Sequence, residues 1–324
     1  MPTTSVFYPV MPFETGSVSS YARLAETTSA RRLWVGQSLN IESHHMFAAL
    51  AQSGMDLAYG TAVTVMPLRH PLTAAVNARS VALLSGRTYV AGIGPGAAAL
   101  QRNMLGAPYA KPVTATRQYV TMMRTLLDGK CAVEPDGPWA TDGLELPDVD
   151  APPVELGLGV LREPMARLAG QIADWAITWL TPPAYLAAQI GPTLAAAARE
   201  AGRRTPRIAA VVQCAVTRPG RDLAEIAHHA VRNHLSTQHY TNMLNQAGVP
   251  VDPADPRTGA RLLVEHGVVV TGTPDEIAAR LAEFYTIGVD EVVVNVGGVH
   301  IGEGPGAAVR DLSAILAAVE RRGN

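Results

Sequence analysis

Gln37, Asn40, Glu42 and His45 crowd two amides, a carboxylate and an imidazole into one short corner, between a β-rich apolar run and the helical pattern that follows it. Such a set can hold a water, orient a carbonyl or pass a proton. His44 and His45 open the helix; one of them could move a proton, the plain alternative being a helix-surface or core histidine. A second corner lies in GTAVTVMPLRHP (60–71), where a strand-like run breaks into Pro67, Arg69, His70 and Pro71. Arg69 and His70 read as structural, His70 as a hydrogen-bonded corner residue before a helix. The remaining chemistry-bearing residues exclude more than they suggest. His229, His234 and His239 fall at steps of five, and His228 stands beside the first, so they do not share a helix face as ligands at steps of four do. No metal site is expected. Cys131 and Cys214 lack any metal or redox spacing and read as incidental or buried thiols.

Positioning such corners takes a framework, and the chain offers a repeating one. β-rich runs at 5–10, 32–38, 57–65, 88–94, 154–161, 175–181, 208–217 and 291–298 alternate with helical patterns at 17–30, 42–53, 71–85, 112–128, 164–173, 183–202, 222–247 and 274–287, with a last one near 306–321. Pro112, Pro183 and Thr273-Pro274-Asp275-Glu276 are helix-start signals. Eight alternating units predict an α/β fold, a (β/α)8 TIM barrel filling 1–324 as one domain, with an open doubly wound sheet as the alternative. Residues 130–153, rich in Pro, Gly and Asp, read as a loop inserted between units four and five. In such a barrel the active site lies at the C-terminal strand ends, where Gly92-Ile-Gly-Pro-Gly96 is either a phosphate-cradling turn or a plain tight one.

Composition narrows the partners. With 48% apolar residues, 17% charged residues and a net charge of −2, the chain suits a packed globular protein rather than one built to neutralise nucleic-acid phosphates. The opening MPTTSVFYPVMPFETG lacks a basic start followed by an apolar core, and no charge-free apolar run spans a bilayer. A soluble cytoplasmic protein without a membrane partner is the expectation.

Five segments together resemble the luciferase-like monooxygenase superfamily: GTAVTVMPLRHPLTAA (60–75), ALLSGRTYVAGIGPG (82–96), MLGAPYAKPVTATRQY (104–119), LAGQIADWAITWLT (168–181) and VVTGTPDEIAARLAEFYTIGVDEVVV (269–294). They run in family order over most of the chain. The GIGPG, MLGAPY and TWLT forms are most similar to the branch that uses the deazaflavin coenzyme F420. The resemblance implies a cofactor across the barrel mouth, backed by a bulge with a non-prolyl cis peptide at Ala62–Val63, followed by Thr64. It also implies contacts from Gly94, Pro95 and Gly96. Phosphate is implied near Leu161, Arg162, Glu163, Pro164 and Met165, at a helix start that favours anions. Here the chain departs from the family's Gly-Pro: Arg162 can pair with phosphate, whereas Glu163 has to point away. Thr178, Trp179 and Thr181 match positions on the cofactor's tail side. Ser38 and Ala97 stand where sugar-phosphate dehydrogenases of the superfamily place a His and a Glu, which disfavours that chemistry.

The reading that results is an F420-dependent oxidoreductase, as a reductase passing hydride to an activated C=C or C=N of a small molecule or natural product, a dehydroamino-acid peptide among them. Trp34, Met46, Met66 and Val63 are expected as the apolar wall, and Glu42, His45 or a water held by Gln37 as the proton source. The alternatives are an FMN-dependent monooxygenase and a catalytically silent cofactor-binding barrel. A homodimer is implied through helices beside strands two and three, where Met46, Phe47 and Leu50 are either interface or core.

Overall fold

A computed structural model describes residues 3–323. Its fold is a (β/α)8 barrel with strands Thr3–Tyr8, Arg32–Val35, Ala58–Thr61, Tyr89–Gly94, Val154–Gly159, Trp175–Trp179, Arg207–Val216 and Glu291–Asn295, numbered here one to eight. All eight expected strands are present, several ending two or three residues earlier than their apolar runs because the last residues turn into the mouth loops. The chain divides into two compact units.

The first unit comprises the chain up to Trp34, Thr178–Pro192, and the chain from Arg207 onward. Strand eight pairs in parallel with strand one (Ser5 beside Val293) and with strand seven (Val211 beside Val293). Val292, Val293 and Val294 are fully buried, as expected where both faces of a parallel strand are covered. Two buried carboxylates in this interior are each held by several donors. Glu291 accepts hydrogen bonds from Arg32 Nη1 (2.7 Å) and Trp34 Nε1 (2.6 Å). Asp311, fully buried on the last helix, receives Arg218 Nη2 and Arg221 Nη1, each at 2.5 Å, and the backbone N–H of Val216 at 3.3 Å. Arg221 also binds Glu303 at 2.5 Å, so one ionic network ties the end of strand seven to two C-terminal helices. The helix expected over 222–247 breaks at Ser236-Thr237 into Leu223–Leu235 and Gln238–Gln246.

The second unit comprises Val35–Ile177 and Thr193–Pro206. Strand four lies between strands three and five, pairing Gly60 with Val90 and Ala91 with Leu156, and strand five pairs with strand six. Helices Ser43–Gln52, Pro71–Ser85 and Pro112–Leu127 present apolar faces. Met46, Phe47 and Leu50 are buried, with Phe47 packed on Tyr59 at 4.8 Å; they are core of this unit, not a free apolar row. Within the inserted segment the chain forms an antiparallel hairpin, Ala132–Glu134 with Thr141–Leu144. Its Trp139 is buried edge-on against Tyr119 at 5.0 Å. No helix among the described residues is long and apolar enough to cross a membrane.

Removing one partner from a buried ion pair leaves the other charge stranded, at about 3–5 kcal/mol. Asp311→Asn is therefore expected to lower the urea midpoint strongly, whereas Asp275→Asn, at an exposed pair with Arg321, is expected to leave it within error.

Candidate active site at the ends of strands two to five

Strand three does not end where its pairing with strand four stops. Gly60 pairs with Val90, and the two-residue continuation Thr64–Val65 pairs again with Ile93 and Gly94. Between those pairs strand three advances four residues while strand four advances three, so one extra residue is accommodated as a bulge. The Ala62–Val63 bond inside it is cis, as the resemblance implied.

Two threonine hydroxyls pin the bulge to one residue. Thr61 Oγ1 and Thr64 Oγ1 both donate to the Gly92 carbonyl at 3.1 Å, and the Gly92 N–H donates back to Thr61 Oγ1 at 2.9 Å. Ala62 N–H reaches the Val35 carbonyl at 3.0 Å. Gly92 has to be glycine, because a Cβ there would lie 1.9 Å from the Thr61 carbonyl oxygen. Glycine recurs around Val63: a Cβ at Gly94 would come within 2.8 Å of one Val63 methyl, and one at Gly159 within 3.5 Å of the other. The result is a partly exposed Val63 on a floor cleared of side chains by strands four and five.

Beside this floor stands the polar corner. Glu42 caps helix Ser43–Gln52, accepting the N–H groups of His44 (2.6 Å) and His45 (3.3 Å). Its other oxygen takes His44 Nδ1 and Arg69 Nη2, both at 2.9 Å. Burial pushes the Glu42 carboxyl upward, but the hydrogen bond and charge of His44, the charge of Arg69 and the backbone N–H together hold it down at about 2. Glu42 is thus held as an anchored anion. The structure brings His44, not His45, into the cluster; the His45 side chain is exposed on the helix. Gln37 Oε1 accepts Val65 N–H at 3.2 Å and faces Arg69 Nη2 at 3.5 Å, while its Nε2 donates to the Ser38 carbonyl at 2.7 Å. Arg69, read from the sequence as structural, therefore belongs to the corner. The one signal of that was a cation inside an apolar, proline-bounded run. His70 does cap the next helix, its Nδ1 accepting Leu72 N–H at 3.1 Å.

The residues expected as the apolar wall differ in exposure. Trp34 is fully buried in the first unit on Glu291, and Met46 and Met66 are core residues of the second, so Val63 alone of that set is partly exposed. The Gly94-Pro95-Gly96 turn is held from within. Gln101 Nε2 donates to the carbonyls of Pro95 (3.1 Å) and Gly96 (2.8 Å), and its Oε1 accepts Tyr109 N–H at 2.9 Å. Gln101 was not legible in the sequence, since an amide on a short helix carries no motif.

Leu161 to Met165 lead into helix Glu163–Ile172, whose N-cap Arg162 supplies no side-chain cap. Its first backbone donors therefore receive no side-chain cap from Arg162, whose side chain is half-buried. Glu163, exposed, leans along the helix to Arg167 at 3.8 Å, away from the cap. In the first unit, Thr178 and Thr181 are buried, and Thr181 Oγ1 donates to the Trp179 carbonyl at 3.2 Å. The Trp179 ring stacks on His234 at 5.3 Å and meets Phe7 edge-on at 5.1 Å. No group of His, Cys, Asp and Glu among the described residues could hold a metal ion.

A bulged strand over a glycine-cleared floor, with polar residues at the C-terminal strand ends, places the candidate site where (β/α)8 barrels carry theirs. The sequence profile of luciferase-like monooxygenases matches residues 5–291, and the chain belongs to that family. It is 25% identical over 294 residues to a 5,10-methylenetetrahydromethanopterin reductase of Methanolobus tindarius, covering 85% of this chain and 89% of that protein. The same fold is seen in the coenzyme F420 dependent tetrahydromethanopterin reductase of Methanopyrus kandleri (TM-score 0.73, 18% identity, 98% of this chain and 97% of that one). It is seen again in a type II Baeyer-Villiger monooxygenase, the oxygenating constituent of 3,6-diketocamphane monooxygenase of Pseudomonas putida, in complex with FMN (TM-score 0.72, 16% identity, 99% of this chain and 98% of that one).

Two substitutions probe this geometry. Gly92→Ala is expected to destabilise the protein by roughly 2–4 kcal/mol, because its methyl meets backbone rather than a movable side chain; urea denaturation measures it. Glu42 has its carboxyl at about 2 against an ordinary 4.5, so its contribution is complete above pH 4.5 and is lost as pH falls towards 2. Glu42→Gln is expected to be less stable at neutral pH, by up to about 3 kcal/mol, and to lose less stability than wild type over that acid window.

Proposed function

We propose that the protein is an F420-dependent oxidoreductase acting as a reductase, which reduces an activated C=C or C=N of a small molecule or natural product, a dehydroamino-acid peptide being one candidate. The observation that carries the reading is the bulge at Ala62–Thr64 over the floor cleared by Gly94 and Gly159, in a chain related to a methylenetetrahydromethanopterin reductase. A flat ring system packs against such a surface with Val63 as its one side-chain contact.

The residues fit the deazaflavin at its other end as well. Arg162 and the uncapped N–H groups of helix Glu163–Ile172 are suited to its phosphate, and Glu163 is engaged elsewhere. When bound, the coenzyme supplies the hydride. The chain's own part is to hold the ring face against Val63, to keep the reacting carbons aligned and to exclude water from between them. Glu42 stays ionised and fixes Arg69. Solvent beside Gln37 is the proton source, since Glu42 is an anchored anion and the His45 side chain is turned outward. A homodimer is part of the proposal, with the exposed Val76, Leu83 and Leu84 of helix Pro71–Ser85 as its apolar contribution.

Fluorescence titration with F420 and with FMN, followed by anaerobic turnover of the reduced deazaflavin with enone and imine acceptors, tests the reading. Saturable F420 binding at micromolar concentrations and acceptor-dependent oxidation are expected. Tight FMN binding without F420 binding would overturn it in favour of the monooxygenase, and binding without turnover of any acceptor in favour of the silent barrel. Arg162→Ala is expected to weaken F420 binding about tenfold and to flatten its salt dependence.

A further inference from the structure

We infer that Arg69 is a positioning residue, which locks the Gln37 amide so that its carbonyl is consumed by the protein and one N–H is left to donate to an acceptor oxygen of the bound ligand. The inference rests on the functional reading above. Gln37 Oε1 faces two donors, Val65 N–H at 3.2 Å and Arg69 Nη2 at 3.5 Å, and Gln37 Nε2 faces an acceptor, the Ser38 carbonyl at 2.7 Å. Turning the amide over would set its NH2 against both donors and its oxygen against a carbonyl, so every contact opposes the flip. At 3.5 Å the Arg69 contact is long, and its value lies in holding positive charge beside the amide oxygen.

Arg69 is itself over-determined. Its side chain is 8% exposed and is fixed by Glu42, whose carboxylate is also clamped by His44 and the helix N-cap. Its backbone carbonyl accepts the Tyr119 hydroxyl at 3.1 Å, and Tyr119 is packed under Trp139 of the inserted hairpin. The hairpin thus braces the corner from behind. Of the two Nε2 hydrogens of Gln37, Ser38 takes one; the other is the donor offered to the ligand, on a residue that is half-buried rather than sealed.

The test is a double-mutant cycle on the Kd of oxidised F420, read by fluorescence, with Gln37→Ala, Arg69→Met and the double variant. Each single change is expected to weaken binding about tenfold, and the double change by no more than about twofold beyond either, because Arg69 acts through Gln37. Losses that multiply would overturn the inference. Arg69→Lys guards against a folding artefact. It keeps a cation beside Glu42 but cannot serve carboxylate and amide together, so it is expected to melt like wild type and bind like Arg69→Met. Crystal structures without ligand decide the matter independently of the coenzyme: Gln37 is expected to leave Val65 in Arg69→Met, and an unmoved Gln37 overturns the inference. A wild type that binds no F420 would instead overturn the functional reading, and leave this structural arm to stand or fall alone.

Discussion

The carbonyl oxygen of Gly92 receives two threonine hydroxyls from a neighbouring strand, and the layout of the candidate site follows from that attachment. Each such bond is worth only about 1 kcal/mol net, but together they hold the extra residue of the bulge where the ladder alone would expel it. Once the bulge is held, Val63 is aimed over strands four and five, and any side chain at Gly94 would collide with it. The same displacement brings Val65 N–H within reach of Gln37, so the floor and the polar corner are set by one distortion of one strand. Glycines at 92 and 94 are thus a steric requirement of the bulge, whereas a Cβ at Gly159 would make ordinary contact with Val63.

Charge is handled in both units by the same rule, that a buried ion is kept only with its partners. Asp311 and Glu291 in the first unit, and Glu42 in the second, each accept at least two donors. The first two join elements distant in sequence. Glu42 does something different, since of its partners His44 and Arg69 the second also reaches the Gln37 amide. A residue with the outward look of a general acid is here the anchor of a cation.

Much of the framework was legible because alternation of apolar strands and amphipathic helices leaves a periodic trace. The bulge was legible only by resemblance, since GTAVTV carries no local mark of an extra residue. What escaped were the relations between corners. Nothing in RHP says that Arg69 turns back to Glu42 while His70 caps a helix, and adjacent His44 and His45 differ only in which way the helix turns them. Trp34 and Met66 are both fully packed in the interior, which their apolar character alone does not separate from a place on a wall. The hairpin in 130–153 was hidden by its turn-rich composition, and Gln101 by the absence of any motif.

A structure of the protein crystallised with F420 tests the central claim most directly. The account predicts the ring face on Val63, an acceptor oxygen within hydrogen-bond distance of Gln37 Nε2, and the phosphate at Arg162 and the start of helix Glu163–Ile172. A ring bound away from the bulge, or a phosphate with no contact to that helix, would contradict it.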